Sequence, residues 1–179
     1  MPNWCENTLR IVPETNTARA ILPQIIELFS SKEETPELSA FQFIYPMPAE
    51  LKNTTPPKDV PNWYDWRISH WGTKWEECHP YVRQSGENLL LVSFQTAWAP
   101  PIGIFDKLRR LGFDVLATYV EQGMGYAGVW QNGEDKEVSL SGLNEPDENG
   151  EYPEDEEILE KVFSGLGLGA ELLPEGLGG

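Results

Sequence analysis

The stretch LLLVSFQTAW (89–98) decides the fold, because it predicts a strand in the interior of a β-sheet. Its first residues are apolar on both faces of a strand, and such strands are covered on both sides. Pro100 and Pro101 follow, where proline suits the first turn of a helix. Residues 102–111 continue as an amphipathic helix that Gly112 ends. The stretch therefore predicts a central strand that leads directly into a helix.

The residues at the start of the chain predict a second strand and a second helix. Residues 3–12 alternate apolar and polar side chains and predict an opening strand. Thr15 or Thr17 can cap a helix that runs to about Ser31, with its apolar residues on one stripe. Pro23 lies inside this helix, so we expect either a late start or a kink.

Further segments complete the predicted sheet. FQFIYPMP (41–48) predicts a short strand, and FDVLATYVEQ (113–122) predicts a longer one. A glycine-rich turn leads into YAGVWQN (126–132), and EVSL (137–140) predicts an edge strand. The order β-α-β-(insertion)-β-α-β-β predicts an α+β fold, namely a ferredoxin-like antiparallel sheet with two helices on one face.

The distribution of charge divides the chain into a body and a tail. The formal net charge is −16. Residues 1–133 carry 15 acidic and 11 basic side chains, whereas residues 134–179 carry 14 acidic and 2 basic ones. We predict a domain at 1–140, with a Trp-rich insertion at about 49–82, and an acidic tail at 141–179 that is partly helical or disordered.

The insertion contains the most unusual stretch of the sequence, because four of the seven tryptophans fall between residues 63 and 75. Trp71 and Trp75 are four residues apart, so they are expected to share a face. With a nearby cation they could sandwich a base, nucleotide or peptide by stacking and cation–π contact. Packing over an open sheet face is the alternative role for these indoles. The candidate ligand-binding residues are Trp63, Trp66, Arg67, Trp71, Lys74 and Trp75.

The acidic tail offers a second candidate surface. Clustered carboxylates can imitate a phosphate backbone and occupy a basic groove on another protein. A solvated tail that only increases solubility is the alternative. The candidate partner-binding residues are Asp147, Glu148, Glu151, Glu154, Asp155, Glu156 and Glu157.

The sequence predicts no catalytic residues, no metal site and no cofactor. Cys5, His70, Cys78 and His79 form neither a C-x-x-C nor an H-x-x-x-H pair, and nothing orients them as a nucleophile and base. GMGYAG (123–128) matches the phosphate-binding string G-x-G-x-x-G, but a strand-like segment follows where a helix is required. This glycine-rich stretch predicts a hairpin turn instead.

A cytoplasmic location is expected. No stretch approaches the roughly 18–20 uninterrupted apolar residues that span a bilayer. Residues 1–10 have neither the basic nor the apolar region of a secretory signal. Two cysteines cannot form a disulfide scaffold, and they favour a reducing compartment.

Four motifs occur in order along the body of the chain. They are M-P-N-W-C-x-N (1–7), W-G-T-K-W (71–75), F-Q-T-A-W-x-P-P (94–101) and Y-V-E-Q-G-M-G-Y-A-G (119–128). Together they resemble the YubB-like family of plasmid- and phage-encoded proteins. The resemblance implies a ferredoxin-like domain, a mobile-element origin and a bacterial host cell. It implies no activity and no catalytic residues, and it does not extend to the acidic tail.

These features support three hypotheses of function. The leading one is a phage or plasmid protein that contacts a host protein with a basic surface, such as a defence component. The first alternative is a sponge-like module that binds a nucleotide or small ligand on the Trp-rich face. The second alternative is nucleic-acid mimicry by the tail. Direct DNA or RNA binding is disfavoured because the body lacks clustered lysine and arginine, and an enzyme is disfavoured because no catalytic set converges.

Overall fold

The computed structural model describes residues 3–32, 37–141, 148–150, 160, 162–164 and 168. In this part of the chain six strands form one antiparallel sheet: β1 (Trp4–Pro13), β2 (Cys78–Gly86), β3 (Leu89–Ala97), β4 (Phe113–Glu121), β5 (Tyr126–Gln131) and β6 (Glu134–Ser139). The α-helices are α1 (Asn16–Phe29), α2 (Ala40–Ile44), α3 (Trp63–His70) and α4 (Ile102–Arg110), with a 3₁₀ helix at Ala49–Leu51. The predicted α+β class is confirmed.

The strand order in the sheet is β2-β3-β1-β4-β5-β6. β1 lies between β3 and β4, with Trp4 opposite Ala97 and Cys5 opposite Glu121. The chain leaves β1 through α1 and returns two positions away at β2, and it leaves β3 through α4 and returns two positions away at β4. This antiparallel arrangement places the start of β1 beside the ends of β3 and β4. The site described below is built at this end of the sheet.

The main core lies between one face of the sheet and the helices. Alternate strand residues such as Leu9, Val92 and Val115 are fully buried there. α1 contributes Leu22 and α4 contributes Phe105 to the same cluster. Burying one such side chain stabilises the fold by about 1.5–3 kcal/mol. Both long helices therefore cover the same face of the sheet.

α1 begins at Asn16 and is continuous to Phe29. The Thr15 hydroxyl accepts a hydrogen bond from the Ala18 amide at 3.1 Å, so Thr15 is the cap. The late start that Pro23 suggested is wrong. Pro23 is exposed, so its ring faces solvent and only one backbone hydrogen bond is lost inside the helix.

The strand predicted at 41–48 is also wrong, because residues 40–44 form the short helix α2. Short apolar runs do not distinguish a strand from a buried helix. Here the helix is the more stable structure because the amides of its first turn donate hydrogen bonds to side chains. The Ser39 hydroxyl accepts from the Gln42 amide at 3.1 Å, and the Glu77 carboxylate accepts from the Ala40 amide at 2.6 Å.

β2 was missed, because the sequence assigned most of its residues to the insertion at 49–82. β2 pairs with β3 in an irregular register at Cys78–Tyr81 and at Val82–Gln84. Pro80 lies in the first irregularity. Proline and bulges are typical of edge strands, and they obscure the alternating pattern by which a strand is recognised. The insertion therefore ends before β2 begins.

The opposite face of the sheet carries a smaller apolar cluster that involves the C-terminal region. Phe163 is 0% exposed and belongs to a cluster with sheet residues that include Leu116 and Val129. Residues 162–164 are helical. Most of the acidic tail predicted at 141–179 lies outside the described residues, so its partly helical or disordered state stays a prediction.

We expect Gly103→Ala to destabilise the fold, because α3 and α4 meet at this glycine. A Cβ atom at Gly103 would lie 1.7 Å from the His70 carbonyl oxygen, which is backbone and cannot rotate away. The free energy of unfolding in urea should fall by roughly 1–3 kcal/mol.

Gly86→Ala is the matched control, since a Cβ there meets nothing within 4 Å. Its free energy of unfolding should stay within about 0.5 kcal/mol of the parent protein. Equal stability of the two variants would contradict the close helix contact.

Candidate functional site

The Trp segment (63–75) divides into a buried part and a surface part. Trp71 is 0% exposed and packs edge-to-face against Phe41, with 5.8 Å between ring centroids. Its Nε1–H donates to the Tyr45 carbonyl at 2.9 Å. The assignment of Trp71 as a ligand-binding residue is therefore wrong, because no face of its indole is available. Trp71 and Trp75 also do not share a surface.

Trp63, Trp66 and Arg67 hold α3 in place. Trp66 stacks on His70 with 4.3 Å between ring centroids and 6° between ring planes. The Arg67 guanidinium lies 5.4 Å from the Trp63 centroid, and its Nη1 donates to Glu76 at 3.0 Å. Arg67 makes a second contact to the same carboxylate through Nη2. These side chains are engaged with one another, so packing accounts for them.

Trp75 belongs to a different group, which we call the indole cluster: Trp4, Trp75 and Trp98. The Trp75 centroid lies 6.1 Å from Trp4 and 6.5 Å from Trp98. The planes of Trp75 and Trp98 are 27° apart. Trp98 is 41% exposed. The start of β1, the end of β3 and the segment before β2 thus each supply one indole.

Lys74 lies against this cluster. Its Nζ is 4.9 Å from the Trp75 centroid, 5.2 Å from the Trp98 centroid and 5.9 Å from the Tyr64 centroid. Separations of up to about 6 Å are typical of cation–π contacts. Two of the six predicted ligand-binding residues, Lys74 and Trp75, therefore lie together at the indole cluster. So do Trp4, Tyr64 and Trp98, which the sequence did not single out.

The backbone of Trp98 is strained and firmly held. Its φ angle is +66°, a region that bulky residues rarely adopt. Its N–H donates to the Asn3 carbonyl at 2.9 Å, and its carbonyl accepts from the Tyr126 hydroxyl at 3.0 Å. His79, which contacts Trp4, also has a positive φ, of +48°. Such strain costs about 1–3 kcal/mol per residue and clusters at functional sites.

The glycine-rich stretch forms the predicted turn, between β4 and β5, and supports the same end of the sheet. The buried Glu121 carboxylate accepts hydrogen bonds from the amides of Gly123 and Met124. A Cβ atom at Gly123 would lie 2.2 Å from Nδ2 of Asn3, so a larger residue there would displace the Asn3 side chain. Met124 is 74% exposed on this turn. The turn therefore lies against Asn3, the residue whose carbonyl accepts the hydrogen bond from the Trp98 amide.

The titratable groups near the cluster do not form a reactive set. Burial raises the pKa of the Cys5 thiol far above its usual value, and burial also raises that of Cys78. Gln95 joins His79 to Glu6 through side-chain hydrogen bonds. Burial raises the pKa of Glu6. Both thiols therefore remain protonated at neutral pH, which makes them poor nucleophiles.

The described residues contain no group of three or more His, Cys, Asp and Glu side chains placed to hold a metal ion. The helices in this part of the chain are also too short or too polar to cross a membrane.

The tail residues predicted to bind a partner are almost entirely outside the structure. Glu148 is exposed. The other predicted tail residues, Asp147, Glu151, Glu154, Asp155, Glu156 and Glu157, lie outside the described residues. Binding by this acidic group stays a prediction.

Comparison with known proteins identifies a distant structural relative. No family model matches the sequence, and no curated protein matches it. The crystal structure of protein api92 from Yersinia pseudotuberculosis, associated with the family model DUF1281, is similar to this chain. The sequence identity is 12%, the likeness covers 78% of this chain and 99% of that one, and the TM-score is 0.44. This likeness is too distant to carry an argument about function.

We expect Trp71→Ala to lower the free energy of unfolding much more than Trp98→Asn. Trp71→Ala empties a core position and should lower the free energy of unfolding by about 3–5 kcal/mol. Trp98→Asn loses ring contacts but relieves strain, because asparagine tolerates positive φ, so its change should stay below about 1 kcal/mol. Urea denaturation measures both values. A loss at Trp98→Asn as large as that at Trp71→Ala would contradict the assignment of Trp98 to the surface.

The free energy of unfolding should depend on pH through Glu77, which lies two residues after Trp75. Burial raises the pKa of Glu77 to about 7, although the Ala40 and Phe41 amides act to lower it. The folded chain then holds this proton more tightly than the unfolded chain, whose carboxyl titrates near 4.5. The free energy of unfolding therefore gains a term that falls as pH rises from about 4.5 to about 7.

Glu77→Gln removes this term, so its stability should fall less between about pH 5 and about pH 7.5 than that of the parent protein. Urea denaturation of both proteins at the two pH values makes the comparison, and other titrating groups cancel in the difference. Parallel pH profiles would contradict the raised pKa of Glu77.

Proposed function

We propose that this chain is a non-catalytic binding protein that contacts a partner protein through the indole cluster. The proposal rests on the exposure of the Trp98 side chain. A large apolar side chain is 41% exposed on a strained backbone whose N–H and C=O are both hydrogen-bonded. Strain of this kind persists when the surrounding structure imposes it, and binding is the simplest reason to impose it here.

The chemistry of the surface suits a protein partner. Tryptophan and methionine are enriched at interfaces, and tryptophan dominates the few residues that supply most binding energy. The backbone of Trp98 is held by Asn3 and Tyr126, so little backbone freedom is lost on contact. Met124 adds an adaptable apolar side chain on the neighbouring turn.

The proposal extends to fold family and origin. The strand order β2-β3-β1-β4, with α1, α2 and α3 between β1 and β2 and α4 between β3 and β4, supports a ferredoxin-like domain to which β5 and β6 are added. The four sequence motifs support a YubB-like protein of a phage or plasmid. The partner is then a protein of the bacterial host cytoplasm, such as a defence component. The net charge of −16 favours a partner with a basic surface.

A nucleotide is the second candidate ligand. The nearly parallel rings of Trp75 and Trp98, with Lys74 beside them, favour a flat anionic molecule as well. The protein partner ranks first because the cluster has a single lysine against it and the whole chain is acidic.

Affinity capture from a bacterial host lysate tests the proposal. Trp98→Asn should reduce recovery of the partner at least about tenfold, because a buried tryptophan anchor is worth roughly 2 kcal/mol or more. Tyr81→Ala is the control, since Tyr81 is 61% exposed on the edge strand β2 and its ring is not among those that contact the cluster. The captured protein is then purified, and its affinity for each variant is measured by calorimetry.

A further variant separates the cluster from the tail. Glu154→Gln, Asp155→Asn, Glu156→Gln and Glu157→Gln together remove four charges and retain the buried Phe163, which truncation would delete. If this fourfold variant fails to capture the partner while Trp98→Asn captures it as well as the parent protein does, the proposal is overturned in favour of mimicry by the tail. Nucleotide-dependent quenching of tryptophan fluorescence that Trp98→Asn abolishes, without a protein partner, would favour the second candidate.

A further inference from the structure

We infer that Tyr64, Trp75 and Trp98 form a recognition site for an arginine side chain of the partner protein, and that Lys74 fills this site in the unbound chain. The inference rests on the proposed function and specifies its chemistry. Lys74 Nζ lies within 5.9 Å of all three ring centroids. The position of Lys74 therefore indicates that a cation fits among these three rings.

The ammonium group of Lys74 lies against three aromatic rings. Among the described residues, no carboxylate lies within ion-pair distance of its ammonium group. Arg67, seven residues earlier, lies over two indoles and is also paired with Glu76. Arg67 is therefore locked in place, whereas Lys74 is held by cation–π contact that another cation can replace.

The site can be vacated without moving its walls. The Thr73 hydroxyl donates to the Ala97 carbonyl at 3.0 Å and anchors the backbone next to Lys74. Trp98 is anchored at its own N–H and C=O. The lysine side chain has four rotatable bonds and a strongly hydrated head, so it can turn into solvent while the rings stay in place.

Charge and shape select arginine as the occupant. The formal net charge of −16, of which residues 1–133 carry −4 and residues 134–179 carry −12, favours a cationic side chain over an anionic one. A guanidinium is planar, stacks on aromatic faces and is less strongly hydrated than an ammonium group. An arginine that displaces Lys74 exchanges a weaker ring contact for a stronger one.

The probe for the test is the acetylated, amidated peptide Gly-Gly-Arg-Gly-Gly, and its neutral control carries citrulline in place of arginine. Binding to the full chain is followed by the NMR shifts of the indole N–H groups. Lys74→Gln vacates the site and should bind the arginine peptide about 2- to 30-fold more tightly than the parent protein, the range expected for one cation–π contact. Trp98→Asn in the Lys74→Gln background should abolish the gain.

Lys107→Gln is the matched control, because Lys107 Nζ also lies over a ring, 5.1 Å from the Tyr45 centroid, away from the cluster. It removes the same charge and should leave the affinity unchanged. No gain with Lys74→Gln, an equal gain with citrulline, or no indole shift in any variant would overturn the inference. Binding of ATP that Lys74→Gln weakens would also overturn it, in favour of an anionic ligand.

The outcome is distinguishable from failure of the proposed function. If Trp98→Asn loses the partner but Lys74→Gln gains nothing, the cluster binds a protein by another chemistry. If Trp98→Asn retains the partner, the cluster is not the binding surface.

Discussion

The burial of Trp71 is the contact on which the position of the indole cluster depends. Its indole N–H donates to the Tyr45 carbonyl just after α2, and its own carbonyl accepts from the Gly103 amide at the start of α4. One residue at the end of α3 therefore ties three helices together. A buried indole N–H without a partner would be costly, so this hydrogen bond fixes the orientation of the ring as well as its depth. Lys74 and Trp75 follow at once in the sequence, so the buried indole determines where they emerge.

Much of the sheet could be predicted from local patterns, whereas the site could not. The residue patterns of long segments such as 89–98 and 113–122 are sufficient to predict strands, and both segments are strands. The segment at 41–48 was misassigned because the carboxylate that stabilises its helical amides comes from Glu77, far along the chain. Interactions between such distant positions leave no trace in a sequence window.

The members of the indole cluster show the same limit. Trp4 and Trp98 are 94 positions apart in the sequence, and only the pairing of Trp4 with Ala97 brings them together. The tryptophans at 63–75 looked like one unit because they are close in sequence. α3 ends among them at His70. Trp71 follows and is fully buried, whereas Trp75 is half-buried beside the exposed Trp98. The high density of tryptophan drew attention to residues 63–75, but the burial of each side chain determines which indoles are accessible to a ligand or partner.

The burial of Phe163 on the second face of the sheet has a consequence for any shortened form of the protein. Phe163 is fully buried in a cluster with Leu116 and Val129 of the sheet. A chain cut before residue 163 would expose these apolar side chains to water, and burying one such side chain is worth about 1.5–3 kcal/mol. The sheet therefore depends for part of its stability on a residue that lies 24 positions after its last strand.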